Sequence, residues 1–276
     1  MEHEKIIQEF YIEHKSNFEE SFTLATETSN PGAIHKMRTS MKRLRALFQL
    51  MQVITDGNFK AKKLMKKGRG IFKLAATIRE LQVEEMLVYG YEEKLGMKFT
   101  GYSQYLFAKE IREIGRFKEN FNLMKKDKSV FKDEIFNNAL DSIDIGNVQA
   151  RAQKFINLKS NALARMNKKG KTTESIHRNR TIIKQFYYLY EILTQLSGWS
   201  ILLGTDQDGM REKEQQIGDW HDRVNSLHYL SFYYGAKAGR KTGEYHKLNQ
   251  LIVNERDKMR IEILKCLYTG QASLWG

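Results

Sequence analysis

Ile34-His35-Lys36-Met37-Arg38-Thr39-Ser40-Met41-Lys42 and Ile176-His177-Arg178-Asn179-Arg180-Thr181-Ile182-Ile183-Lys184 share Ile, His, Arg, Thr and Lys at the same offsets, 142 residues apart. A repeat at that spacing points to an internal duplication, which decides architecture before any other signal. Only seven histidines occur in 276 residues, so two in matching cationic settings are informative. A helix turns about 100° per residue, which places offsets 0, +3 and +7 within about 60° of arc. His35, Arg38 and Lys42 therefore form one stripe, and His177, Arg180 and Lys184 another. Arg45 extends the first stripe, within about 80° of His35. Arg43 points to another face, towards a neighbouring groove or solvent. Gln185 and Tyr187 stand where the second copy would carry the matching arginines.

Outward from the motif, apolar residues recur at three- and four-residue spacing, as in Leu44, Leu47, Phe48 and Met51. Strand-like alternation is scarce, and the chain has a single proline, Pro31, in keeping with a helical protein. The expectation is an all-α fold. Breaks fall near Ser29 to Gly32, Thr55 to Asn58, Lys94 to Gly96, Asp141 to Gly146, Lys168 to Lys171, Leu203 to Gly209 and Gly239 to Gly243. The offset maps a helix over 4–27 onto one over 146–169. It also maps 59–91 onto 201–233, and 101–126 onto 243–268. Two four-helix bundle repeats, 1–143 and 144–276, are thus expected to pack about a pseudo-twofold axis as one compact body. The segment from Val130 to Ile145 serves as the connection.

The chain carries 46 Lys and Arg against 33 Asp and Glu, for a net charge of +13. Such a balance favours polyanionic partners such as nucleic acid, polyphosphate or an acidic membrane surface. The single cysteine, Cys266, sits in an apolar helical context and excludes an intrachain disulfide. The charged first fifteen residues lack the apolar core of a signal peptide, and no apolar run reaches the length of a membrane span. A cytoplasmic protein is the expectation.

Both histidines lie near predicted helix starts, with Asn30-Pro31 capping one helix and Thr172 or Thr173 the other. Unpaired amides and the positive dipole end favour anions there. Arginine supplies a planar fork for phosphate oxygens, and lysine a mobile point charge. Lys62, Lys66, Arg69 and Lys73 form a second basic face if 60–73 is one helix, with Gly68 and Gly70 permitting close approach of a phosphate or another helix. Tyr187, Tyr188, Phe117 and Phe121 are at stacking or core positions. Glu80, Glu84, Asp219 and Asp222 are the carboxylates available for metal-assisted cleavage of phosphoanhydrides, or for supporting the basic stripe. Catalytic signatures are otherwise lacking: Gly170-Lys171-Thr172 has Arg165 where the first glycine of a phosphate loop belongs, and no HExxH occurs.

His35-Lys36-Met37-Arg38 followed by Lys42-Arg43-Leu44-Arg45 resembles the signature of the CHAD family, the conserved-histidine α-helical domain. His177-Arg178-Asn179-Arg180 with Lys184, and Ile217-Gly218-Asp219 with Asp222, resemble its second repeat. Arg79-Glu80-Leu81-Gln82-Val83 is similar to the family's Arg-Asp-Leu-Asp-Val stretch, with Glu80 and Gln82 in place of its two aspartates. The resemblance covers residues 4 to 270. It implies two four-helix bundles around a basic central groove that binds inorganic polyphosphate, and association with polyphosphate granules; from the residues themselves no catalysis, cofactor or metal is expected. The first-rank binding residues are then His35, Arg38, Lys42, Arg45, His177, Arg180 and Lys184. Lys62, Lys66, Arg69, Lys73 and Arg43 come second. Non-specific binding of nucleic acid is the alternative.

Overall fold

The computed structural model describes residues 2–28, 30–124, 130–144, 146–168, 172–196, 207–236 and 243–268, and among them every regular element is a helix. In chain order these are α1 (Glu2–Thr28), α2 (Pro31–Ile54), α3 (Ala61–Leu64), α4 (Lys66–Leu95), α5 (Thr100–Met124), α6 (Asp133–Leu140), α7 (Val148–Lys168), α8 (Thr173–Leu193), α9 (Gln207–Ala236) and α10 (Gly243–Tyr268).

Local chemistry sets the helix ends. The Asn30 side chain accepts from the amides of Gly32 and Ala33, and Pro31 opens α2 where its missing N–H costs nothing. Thr172 caps α8 by accepting from the Ser175 amide. The turn after α2 needs left-handed backbone at Asp56 and Gly57, and Gly96 closes α4 in the same conformation. Gln207 to Gly209 lie within α9, where the sequence suggested a break.

Two expectations are corrected. Residues 60–73 are not one helix: α3 ends at Leu64, Met65 adopts a near-zero ψ, and α4 starts at Lys66. Gly68 explains why α4 sits there. A Cβ at Gly68 would meet Met41 Cε at 2.6 Å and Phe131 at 3.2 Å, so its bareness serves helix packing rather than a phosphate. The connection after residue 130 also does more than link, because it contains α6. Phe136 is fully buried and stacks on Tyr11 with ring centroids 3.9 Å apart, while the Tyr11 hydroxyl donates to Asp133 at 2.7 Å. Phe136, Ala139 and Leu140 of α6, with Ile135 partly buried beside them, thereby join the core that α1 and α2 build.

Several packing contacts come in matching pairs. α2 meets α4 as α8 meets α9, α4 meets α5 as α9 meets α10, and α5 meets α9 as α10 meets α4. α2 also meets α8, and α4 meets α9. The halves share their cores. One apolar cluster joins Leu44, Leu47 and Phe48 of α2 to Phe186, Leu189 and Ile192 of α8, and a second joins Leu81 and Tyr91 of α4 to Leu230 of α9 and Leu248 of α10. Splitting the chain between the halves would expose both clusters. No described helix is long and apolar enough to cross a membrane. Cys266 and Phe121 have side chains outside the described residues, as do Gly170 and Lys171 altogether.

Candidate functional site: a basic groove with an acidic floor

Where the α2/α8 pair meets the α4/α9 pair, the helices leave a cleft of about 610 Å³. The repeated isoleucine explains how the motif aims its charges. Ile34 and Ile176 are fully buried, which fixes the rotation of α2 and α8 and leaves the following turns facing the cleft. His35, Arg38, Thr39, Lys42 and Arg45 line it from α2; Arg180, Thr181 and Lys184 line it from α8.

Arg38 is held in place from below. Its Nη1 donates to the Phe72 carbonyl at 2.8 Å, and its guanidinium carbon lies 4.2 Å from the Phe72 ring centroid. Burial lowers its pKa to about 10 against the pull of Glu80, which leaves it charged at neutral pH. Lys42 lies deeper. Burial first, then Lys184, Arg38 and Arg180, push its amine down to about 7, with Glu214 opposing. Among the described residues no hydrogen bond or ion pair engages it. His35 is lowered by burial and by Arg79, Lys42, Arg38 and Lys184. A cluster in which each cation disfavours its neighbours is a strong attractor for an anion.

From α8, Lys184 donates to Glu214 of α9 at 2.6 Å. Its pKa is nevertheless lowered, by burial and then by Arg180. Arg180 lies against Gly218 on α9, and its Nε is buried with no partner among the described residues. His177 stands outside the cleft lining but its ring is 4.9 Å from that of His221, which lines it. Burial, His221 and Arg180 lower the His177 pKa.

Carboxylates line the cleft from α4 and α9. Glu80 and Glu84 stand on α4, and Glu214, Asp219 and Asp222 on α9. Glu84 is 2% exposed, and one of its oxygens accepts from both Tyr102 at 2.9 Å and Ser226 at 2.7 Å. Burial raises it to about 7 despite those bonds. Burial also raises Asp219. Gln82 turns away and donates to the buried Glu110 at 2.8 Å. Among the described residues no three His, Cys, Asp or Glu side chains gather as a metal-binding set.

The remaining predicted residues are placed elsewhere. Arg43 lines the cleft but is committed, donating to both carboxylate oxygens of Glu191 at 2.6 and 2.9 Å. Lys62, Lys66, Arg69 and Lys73 are exposed and do not line the cleft. Phe117 is core, and Tyr188 is buried beside Arg43. Sequence reasoning missed Arg79 and Glu214, which line the cleft, and Lys159, which reaches it only through Gln185. Arg79 was legible in the Arg79–Val83 stretch. Lys159, which donates to Gln185 at 2.9 Å and is lowered by burial and by Arg45, had no local signal.

With this geometry in hand, residues 16–231 match the model of the CHAD domain family. The chain belongs to the CHAD domain family. This family is associated with polyphosphate binding. The fold is similar to the crystal structure of the CHAD domain from the plant Ricinus communis, with a TM-score of 0.64 and 11% identity over 98% of this chain and 92% of that one. It is also similar to PptA from Streptomyces chartreusis, with a TM-score of 0.61 and 12% identity over 96% and 97%. At such identities the likeness is one of fold. No curated protein matches this CHAD domain in sequence.

Proposed function

We propose that this CHAD domain binds inorganic polyphosphate along the α2/α8 wall of the groove and does not cleave it. The observation that carries this reading is the convergence of Arg38, Lys42, Arg180 and Lys184 from two helices into one cleft, with Lys42 lacking a partner among the described residues. A linear phosphate chain presents anionic oxygens on every unit, so it satisfies several of these cations at once and releases counterions in doing so. His35, Arg79, Arg45 and His177 flank that centre and extend the contact. Such a protein would act in the cytoplasm, at polyphosphate granules.

Binding of long-chain polyphosphate, double-stranded DNA and RNA, compared at about 150 mM salt, tests the proposal. The variants are His35→Ala/Arg38→Ala and His177→Ala/Arg180→Ala. Polyphosphate is expected to bind tightly, with a steep fall as salt rises, and each double variant to lose about tenfold or more, the scale of one charge-assisted contact. Equal binding of all three polyanions, untouched by the substitutions, would mean that bulk charge alone is responsible and would favour non-specific nucleic-acid binding.

A further inference from the structure

The two repeated lysines are not in equal states. Lys184 is held by Glu214, with both side chains about one-fifth exposed (21% and 20%). Lys42, at the same place in the first motif, has no ion-pair partner among the described residues. The difference comes from the facing helix. Aligning α4 with α9 by their first residues sets Lys73 opposite Glu214 in the repeat; aligning them by Ile78 and Ile217 sets Ala75 there. Neither supplies a carboxylate.

We infer that Glu214 is a built-in competitor for the ligand, occupying Lys184 in the empty groove until a phosphate group displaces it. This rests on the reading of the groove as a polyphosphate site. The carboxylate lies on the same amine that an incoming phosphate needs, and like charges at that range repel strongly in a partly dry cleft. His35 and Lys42 from α2, Arg180 and Tyr188 from α8, and Asp219 and Asp222 from α9 lie within electrostatic range of the pair. The groove therefore presents a ready half on α2 and a guarded half on α8. A single phosphate engages the ready half. Only a chain long enough to deliver further anionic oxygens to Lys184 and Arg180 repays the broken pair, so Glu214 makes the site discriminate for charge density along a chain.

A double-mutant cycle tests this, with the affinity of a defined-length polyphosphate measured in the native protein, Glu214→Gln, Lys184→Met and the double variant. Glu214→Ala is measured alongside, because a glutamine carbonyl still accepts from Lys184, and Glu212→Gln on the same helix controls for net charge. Glu214→Gln and Glu214→Ala are expected to tighten binding by about tenfold, one pair's worth of competition, with less than about a twofold gain in the Lys184→Met background or from Glu212→Gln. Inorganic phosphate is expected to show no such gain. No change at Glu214, or the same gain with and without Lys184, overturns the inference while leaving polyphosphate binding intact. Absence of polyphosphate binding in the native protein and every variant overturns the polyphosphate reading itself.

Discussion

Arg43 of α2 grips both carboxylate oxygens of Glu191 on α8, at 2.6 and 2.9 Å, and so ties the two basic helices together beside the groove. The fork is planar and half-buried, and the bond to Glu191 raises the Arg43 pKa against its burial. Arg43→Ala leaves Glu191, whose side chain is 13% exposed, without its partner. A loss of about 1–2 kcal/mol is expected, below the range for fully buried pairs because Arg43 is partly solvated. Denaturant unfolding of Arg43→Ala, Glu191→Gln and the double variant measures it. Additive losses would show that the pair is uncoupled.

Lys42 gives polyphosphate binding a pH dependence. Its amine sits near 7 in the empty groove, so raising the pH from about 6 to about 8.5 removes the proton that an anion needs. Affinity is expected to fall across that window and binding near pH 7.5 to take up protons, seen by calorimetry in buffers of different ionisation enthalpy. Lys42→Arg should flatten the profile. In the empty protein the sign is opposite: the unfolded chain holds the extra proton between about 7 and the ordinary 10.5, so this lysine makes stability rise with pH there.

Glu84 provides a second titration with its own sign. Its folded pKa of about 7 lies above the ordinary 4.5, so the folded state holds the extra proton between those values and stability falls as pH rises through them. Glu84→Gln keeps an acceptor for Tyr102 and Ser226 and should lessen the decline, leaving the part that comes from Glu85, which burial also raises to about 7. Glu84→Leu orphans both hydroxyls and should destabilise at every pH. Melting temperatures from pH 4.5 to 8 decide between these outcomes, and an unchanged slope in Glu84→Gln would refute the assignment.

Phe136 tests whether α6 is structural. The ring is fully buried among Tyr11, Phe48 and Phe59. Phe136→Ala should cost about 3–5 kcal/mol by leaving a cavity. Urea unfolding reads it directly, and a loss under about 1 kcal/mol would mean the segment is a mere linker.

The long helices were legible because burial follows the helical period. α1, α5 and α7 differ from the predicted 4–27, 101–126 and 146–169 by few residues, and α10 covers the predicted 243–268. The break at Met65 and the helix at 133–140 were not legible, since short segments carry too few periods and owe their shape to the surface they cover. Arg38, Lys42, Arg45, Arg180 and Lys184 do line one cleft with His35, while His177 stands at its edge beside His221.

The sequence alone determined that this chain is helical, that two H-x-x-R-x-x-x-K stripes recur, and which face of each helix is charged. These are properties of neighbours three or four residues apart, which helical geometry fixes locally. Only the tertiary structure decided that the stripes share a cleft, that Arg43 is spent on Glu191, and that Lys184 is guarded by Glu214 while Lys42 is not. Those pairings join residues from different helices, the Arg43–Glu191 pair 148 positions apart. The electrostatic state of an amine depends on burial and on charges brought to it by packing, and no local pattern encodes either.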